Sequence, residues 1–111
     1  MLRRTPEALA YVRTLSAVPA CSEITRIEVL TGLRSAERRP AEHLFATIDW
    51  IAVEEDVARR AGDLGRRFRA SHPGIDAADL AVAATTEHLG ATCATANVKH
   101  FPMFPGLRAP Y

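Results

Sequence analysis

The chain has 111 residues, a length that suits one domain and is too short for two. Apolar residues make up 48% of the composition, which is enough for a hydrophobic core and argues against an intrinsically disordered chain. A formal net charge of +1 argues against a polybasic nucleic-acid coat, although a local basic groove stays open.

The cysteines and the chain start bear on the cellular compartment. Cys21 and Cys93 are isolated in the sequence and lack the spacing of a metal site or a redox pair, so they are predicted to be reduced. No apolar run approaches the roughly 20 residues that span a bilayer. The first residues have no apolar segment typical of a signal peptide. We therefore expect a cytoplasmic protein.

Capping residues, apolar spacing and chain breakers predict helices that alternate with short strands. Helices are predicted over residues 5–18, from Ile24 to Leu33 or Arg34, from Pro40 through Ile48, from Glu54 to about Ser71, and from Asp79 to Leu89. Strands are predicted at residues 20–22, 50–53 and 91–95, with an edge strand at 107–109. This alternation favours a single α/β domain with a parallel sheet.

The predicted helix that ends at Leu89 organises the rest of the chain. It is apolar on nearly every face, which indicates a buried helix, and Gly90 stands where such a helix stops. Asp76 has the place of an N-cap residue. Asp79 lies a turn further in and points roughly toward the core, so capping alone does not explain it. Either a cation or a polar cleft is expected beside it.

Three polar residues are candidates for a shared site at one edge of the sheet. Glu28 lies early in the helix after the first predicted strand, Asp79 lies at the start of the buried helix, and Asn97 follows the strand predicted at 91–95. Ligands of parallel α/β sheets collect beyond the carboxyl ends of the strands. Carboxylate and amide oxygens suit Mg²⁺ or Mn²⁺. The alternative is that these acids are simply solvated on helix surfaces.

Three segments resemble the motifs of one family in the right order and spacing. Residues 22–32 (SEITRIEVLTG) resemble the second motif of PIN-domain nucleases, in particular the VapC toxins of bacterial toxin–antitoxin pairs. Residues 79–85 (DLAVAAT) resemble their Asp-x-x-Ile-Ala-Ala-Thr motif. Residues 95–101 (TANVKHF), with Pro105-Gly106-Leu107 after them, resemble their Thr-x-Asn-x-x-His-Phe ending.

This resemblance implies a three-layer α/β/α fold with a short parallel sheet, and an endoribonuclease that depends on Mg²⁺ or Mn²⁺. It also implies a homodimer that is silenced by a VapB-like antitoxin, whose tail occupies the active site. Glu28 and Asp79 match two metal-binding acids of the family, and Asn97 matches a further site position that holds Asp or Asn. The residues expected to support the site are Thr25, Thr95 and Asp76.

The sequence departs from the family at its start. The family begins with a central strand that carries an acid, whereas residues 1–4 stand where the sequence just after that strand is expected. We therefore expect an N-terminally truncated PIN domain that lacks the first catalytic Asp and binds metal poorly. A start codon assigned at an internal position would account for this. The competing hypothesis is a module that only binds an antitoxin or a second copy of itself.

Several other polar residues have both a functional and a structural explanation. Four arginines are candidates for holding the RNA backbone, although a solvated face explains them as well: Arg26, Arg34, Arg38 and Arg39. His100 precedes Phe101 in a predicted loop, where a histidine usually packs or donates a hydrogen bond. A Cys–His hydrolase has no supporting motif in the sequence.

Overall fold

The structure is a computed structural model that describes Glu7, Ala10, Tyr11, Thr14, Leu15 and residues 18–110. Its elements are β1 (Ala20–Ser22), α1 (Glu23–Gly32), a 3-10 turn (Ser35–Glu37), α2 (Arg38–Phe45), β2 (Asp49–Ile51), α3 (Glu55–Phe68), α4 (Ala77–Leu89) and a 3-10 turn (Val98–His100). Glu7, Ala10, Tyr11 and Thr14 are helical, as predicted, whereas Leu15 and Val18, which the prediction placed in the same helix, are not. The predicted helix start at Thr5 lies outside the described residues.

The strands β1 and β2 form a parallel pair in which Ala20 lies opposite Asp49 and Ser22 lies opposite Ile51. Ser22 ends β1 and caps the next helix, because its hydroxyl oxygen accepts a hydrogen bond from the Ile24 amide at 3.3 Å. The carboxyl end of β1 therefore leads directly into α1, the helix that carries Glu28. This is the mixed α/β class with a short parallel sheet that the sequence predicted.

Helices α3 and α4 pack against each other and build the core. Its buried side chains are Val57, Leu64, Ile75, Leu80, Ala83, Ala84, Cys93 and Phe101. Gly65 allows the two helices to approach closely, since a Cβ atom at this position would lie 3.0 Å from Leu80 Cδ1. In α3, the side chains of Val57 and Leu64 face inward and are 3% and 1% exposed.

The organising helix α4 confirms the prediction made from its composition. It buries residues on several faces, among them Leu80, Ala83 and Thr85. Gly90 ends the helix in the left-handed region, with φ of 61°, a conformation that costs glycine little. Most other side chains would pay a steric cost at this residue.

Three of the strand predictions need correction. The strand predicted at 50–53 is shorter and starts one residue earlier, as β2 at Asp49–Ile51, because β1 offers only three residues to pair with. Residues 91–95 and 107–109 are not strands. A strand exists only when its backbone pairs with a neighbour. Segments 91–94 and 103–108 instead line a groove of about 540 Å³.

Helix boundaries and faces also differ in detail. α2 begins at Arg38 rather than at Pro40, which a helix tolerates because Pro40 lies in the first turn, where amide groups have no intrahelical acceptor. α3 ends at Phe68, three residues before the expected Ser71. Ile27 on α1 is 60% exposed, so this apolar side chain does not join the core. Among the described residues, no helix is long and apolar enough to cross a membrane.

Candidate metal centre

The amino end of α4 carries two aspartates that cap the helix reciprocally. The Asp76 carboxylate oxygen Oδ1 accepts a hydrogen bond from the Asp79 amide at 2.8 Å. In return, Asp79 Oδ2 accepts a hydrogen bond from the Asp76 amide at 3.2 Å. Asp76 is thus the N-cap residue, as predicted, and Asp79 forms the other half of a capping box.

The surroundings of Asp79 go beyond capping. Its side chain is only 18% exposed, and its Oδ2 lies 3.0 Å from the Nδ1 atom of His100. Burial is the main cause that raises the pKa of the Asp79 carboxyl, and the charge of Asp76 raises it further. The hydrogen bond from the Asp76 amide and the charge of His100 act in the opposite direction. Capping alone does not explain why an acid is mostly buried beside a second acid, since both features disfavour its ionised form.

Glu28 on α1 lies within the electrostatic field of these two aspartates. Burial raises the pKa of the Glu28 carboxyl first, and the charges of Asp76 and Asp79 raise it further. Helix α1 also contacts α4 and β1 in the fold. The structure therefore brings the predicted Glu28 and Asp79 into one acidic cluster, together with Asp76.

Asn97 is placed by the turn that follows segment 91–95. Its amide donates a hydrogen bond to Thr95 Oγ1 at 3.0 Å, and its carbonyl accepts one from the His100 amide at 3.0 Å. In the part of the chain that the structure covers, no hydrogen bond joins its side chain to Glu28 or Asp79. Thr95 thus shapes the turn at Asn97.

Two of the remaining candidates have clear positions. Thr25 is half-buried and lies one helical turn before Glu28 on α1. Arg26 is committed to contacts within the chain, because its guanidinium carbon lies 4.1 Å from the Trp50 ring centroid and its Nε donates to Glu23 at 2.6 Å. Arg26 therefore stabilises the fold.

The other candidate arginines, Arg34, Arg38 and Arg39, are exposed. Their exposure is compatible with both explanations, a contact with the RNA backbone and a solvated face.

The cysteines play no part in this cluster. Both thiols are free; Cys93 is buried and Cys21 is half-buried. Burial raises the pKa of each thiol, which keeps it protonated and unreactive at neutral pH.

The cluster offers oxygen atoms of the kind that hard divalent cations bind. Mg²⁺ is commonly held by one or two carboxylates, with water and substrate phosphate as the other ligands. Glu28 and Asp79 are two such carboxylates, and the pKa of each is raised, mainly by burial. Within the described ranges, no group of three or more His, Cys, Asp or Glu side chains is arranged to hold a metal ion.

Comparison with known proteins gives the family. The family model for the PIN domain matches residues 1–102 of the chain. The chain belongs to the PIN-domain family. It is 48% identical over 92 residues to ribonuclease VapC19 of Mycobacterium tuberculosis, a match that covers 83% of this chain and 74% of the relative. It is 42% identical over 92 residues to ribonuclease VapC10 of the same organism, covering 83% and 69%.

The fold of this PIN domain also matches a solved structure. A chain in a toxin-antitoxin complex from Klebsiella pneumoniae superposes with a TM-score of 0.75, covering 98% of this chain and 85% of that chain. Because the sequences are 24% identical, this likeness concerns the fold. Together with the VapC relatives, it confirms the PIN-like α/β architecture and the VapC resemblance that the three motifs predicted.

The sequence alone missed one residue of this PIN domain's acidic cluster. His100 was predicted to pack or hydrogen-bond in a loop, whereas the structure places its ring against Asp79. One signal was available: His100 lies three residues after Asn97, the spacing of a single 3-10 turn. Nothing in the sequence shows that this turn packs against the start of α4.

Proposed function

We propose that the chain is the endoribonuclease toxin of a VapBC-type toxin–antitoxin pair, hydrolysing RNA phosphodiester bonds with the help of Mg²⁺ or Mn²⁺. The observation that carries this proposal is the acidic cluster, in which the charges of Asp76 and Asp79 at the start of α4 raise the pKa of Glu28 on α1, and burial raises the pKa of Asp79. The names of the relatives, ribonucleases VapC19 and VapC10, support the reaction class.

The proposed roles of the residues follow from their chemistry. Glu28 and Asp79 hold the divalent cation through carboxylate oxygens, and Asp76 keeps the first turn of α4 in place while adding negative charge. When bound, the cation lowers the pKa of a water molecule and offsets the negative charge of the phosphate. Asn97, which is neutral and a weaker ligand, orients a water molecule or a phosphate oxygen.

The proposed partners are RNA, a VapB-like antitoxin and a second copy of the chain. The antitoxin is supported by the solved neighbour, which comes from a toxin-antitoxin complex. The VapC relatives support the same interpretation. The proposed compartment is the cytoplasm, where RNA is abundant. The homodimer follows from the family resemblance.

A second candidate function is a PIN-like module that binds its antitoxin or itself without cleaving RNA. The observation that favours it is the number of ligands: Glu28 and Asp79 come from different helices, and within the described part of the chain no group of three or more His, Cys, Asp or Glu side chains could hold a metal ion.

Metal titration separates the two candidates. Calorimetric titration of the chain with Mn²⁺ is expected to give saturable binding in the millimolar range or tighter, which Glu28→Gln and Asp79→Asn each abolish. Asp63→Asn, an exposed acid on α3, is the matched control and should bind like the unmodified chain. Cleavage of a mixed RNA substrate should follow the same pattern. Binding that is unchanged in the Asp79→Asn variant would refute the nuclease proposal.

A further inference from the structure

The contact between Asp79 and His100 assigns a role to a residue outside the acid pair. We propose that His100 is a positioning residue, which donates its Nδ1–H to Asp79 Oδ2 and so leaves Oδ1 of the same carboxylate for the divalent cation. This role rests on the proposed function, because it concerns how one of the proposed metal ligands is held. The Nδ1 and Oδ2 atoms lie 3.0 Å apart.

The burial of His100 requires a partner for Nδ1. This atom is buried and makes no well-directed hydrogen bond to any residue that the structure describes. Buried polar atoms in proteins are nearly always hydrogen-bonded, because leaving one unpaired costs the free energy of its lost hydration. Asp79 Oδ2 is the acceptor within reach, at 3.0 Å from Nδ1. Hydrogen bonds in such sites often tighten only when the ligand is bound.

The short separation also decides where the ring proton lies. An unprotonated Nδ1 would place its lone pair 3.0 Å from an ionised oxygen, and the two would repel each other. A proton on Nδ1 turns this repulsion into a charge-assisted hydrogen bond. The opposite ring nitrogen, Nε2, faces Gly74, where an added Cβ atom would lie only 3.3 Å away. The ring is thus held between Gly74 and the first turn of α4.

The two oxygens of Asp79 are used differently. Oδ2 faces two donors, the Asp76 amide at 3.2 Å and His100 Nδ1 at 3.0 Å. No residue in the described part of the chain donates a hydrogen bond to Oδ1. Groups that hold a metal-ligating side chain in one orientation strengthen metal binding. Their loss typically weakens metal affinity about 10- to 100-fold.

The main chain fixes the ring independently of the acids. His100 closes the 3-10 turn Val98–His100, in which its amide donates to the Asn97 carbonyl at 3.0 Å. The next residue, Phe101, is 4% exposed and belongs to the hydrophobic core with Leu80 of α4. The core therefore carries His100 to α4 whether or not a cation is bound.

The test compares two amide replacements that differ in where they place the N–H. His100→Asn puts its amide nitrogen close to the Nδ1 position, whereas His100→Gln puts it near Nε2, away from Asp79. Calorimetric titration with Mn²⁺ is expected to show affinity within about threefold of the unmodified chain for His100→Asn and a loss of about tenfold or more for His100→Gln. Equal affinities in the two variants would overturn the positioning role.

A measurement on the unmodified chain keeps the test independent of variant folding. Long-range ¹H–¹⁵N NMR correlation distinguishes the two neutral tautomers of histidine, and we expect the Nδ1–H tautomer at His100. A neutral ring protonated on Nε2 would overturn the proposal. The Asp79→Asn variant separates the positioning role from the nuclease proposal. If Asp79→Asn abolishes Mn²⁺ binding and His100→Gln does not weaken it, the positioning role is wrong and the nuclease proposal stands. If Mn²⁺ binding survives in Asp79→Asn, both proposals are wrong.

Discussion

Replacing Asp79 by asparagine is expected to stabilise the fold at neutral pH while it removes the divalent cation site. Burial and the charge of Asp76 raise the pKa of the Asp79 carboxyl, so ionising it in the folded chain costs free energy. Asparagine has nearly the same shape, and its side-chain oxygen still accepts the Asp76 amide that Asp79 Oδ2 accepts at 3.2 Å. The capping box therefore survives while the charge is lost.

The sign of the pH dependence follows from proton linkage. A carboxyl whose pKa is raised by folding binds its proton more tightly in the folded state, so its favourable contribution is complete below the unfolded pKa and is lost as pH rises through the folded pKa. Glu28 shifts in the same direction. The contribution of these two carboxyls to stability should therefore be lost from about pH 4 toward neutrality, and Asp79→Asn should lose less of it than the unmodified chain.

Each pKa unit by which folding raises the carboxyl costs about 1.4 kcal/mol of stability at neutral pH. For a domain of about 100 residues, each kcal/mol recovered by Asp79→Asn raises the midpoint of thermal unfolding by about 4–8 °C. Melting followed by circular dichroism between about pH 4 and pH 7 measures the difference, which should be smallest at the acidic end.

Adding Mg²⁺ should reverse the order of stabilities. At a concentration ten times the dissociation constant, a cation that binds only the folded chain stabilises it by about 1.4 kcal/mol, and Asp79→Asn should gain nothing. Asp63→Asn, on the exposed face of α3, should follow the unmodified chain in both conditions. An Asp79→Asn variant that melts below the unmodified chain at pH 7 without metal, or that Mg²⁺ stabilises equally, would refute the reasoning.

Other substitutions test the framework around the site. Asp76→Ala should cost about 1 kcal/mol of unfolding free energy in urea titration through the lost N-cap, and Asp76→Asn clearly less; equal losses would argue against capping. Arg26→Ala should lower the thermal midpoint by a few degrees, with Arg26→Lys intermediate because an ammonium group does not stack flat on Trp50; an unchanged midpoint would show that this stacking contributes nothing. The ion pair of Arg60 with Glu87, at 2.7 Å, joins α3 to α4, and its coupling in a double-mutant cycle should shrink as salt is raised; salt-independent coupling would contradict an electrostatic origin.

The helices could be predicted from the sequence because their signals are local. In α4, alanine-rich spacing gave the buried faces, Asp76 gave the start and Gly90 gave the stop, and each signal lies within a few residues of what it determines. In α2 the local signal gave the wrong start. Proline is common at the first helical position, which predicts a start at Pro40, but the helix begins at Arg38. A proline fits any place in the first turn, so it marks a helix start only to within a turn.

The strands could not be predicted as well, because pairing depends on a partner elsewhere in the chain. Residues 20–22 and 49–51 pair with each other and are strands. Residues 91–95 have a similar small and β-branched composition, yet Cys93 turns into the core and the segment lines an open groove. Composition describes what a segment tolerates, whereas register and neighbours decide whether it becomes a strand.

In the site too, features with a local sequence signal could be predicted, whereas contacts between distant residues could not. The motifs of the family pointed to Glu28 and Asp79, and the structure brings these acids into one cluster. They could not reveal that Asp79 also caps its own helix, or that His100 approaches it. Arg26 was a candidate for RNA contact because arginines bind phosphate, but its position over Trp50 depends on a contact between α1 and β2 that no local pattern contains.

The start of α4 can hold several negative charges without a metal ion because the helix itself offsets part of their cost. Free amides and the positive end of the helix dipole stabilise carboxylates in the first turn, and here Asp76 and Asp79 both accept such amides. Glu28 comes from α1 and lacks this support, so burial and the two aspartates raise its pKa together. In the proposed nuclease, the cation therefore offsets the negative charge where α1 contacts α4. The pair of helices, held by an apolar core that contains no charged side chain among the buried residues described, should keep its fold when Mg²⁺ is removed.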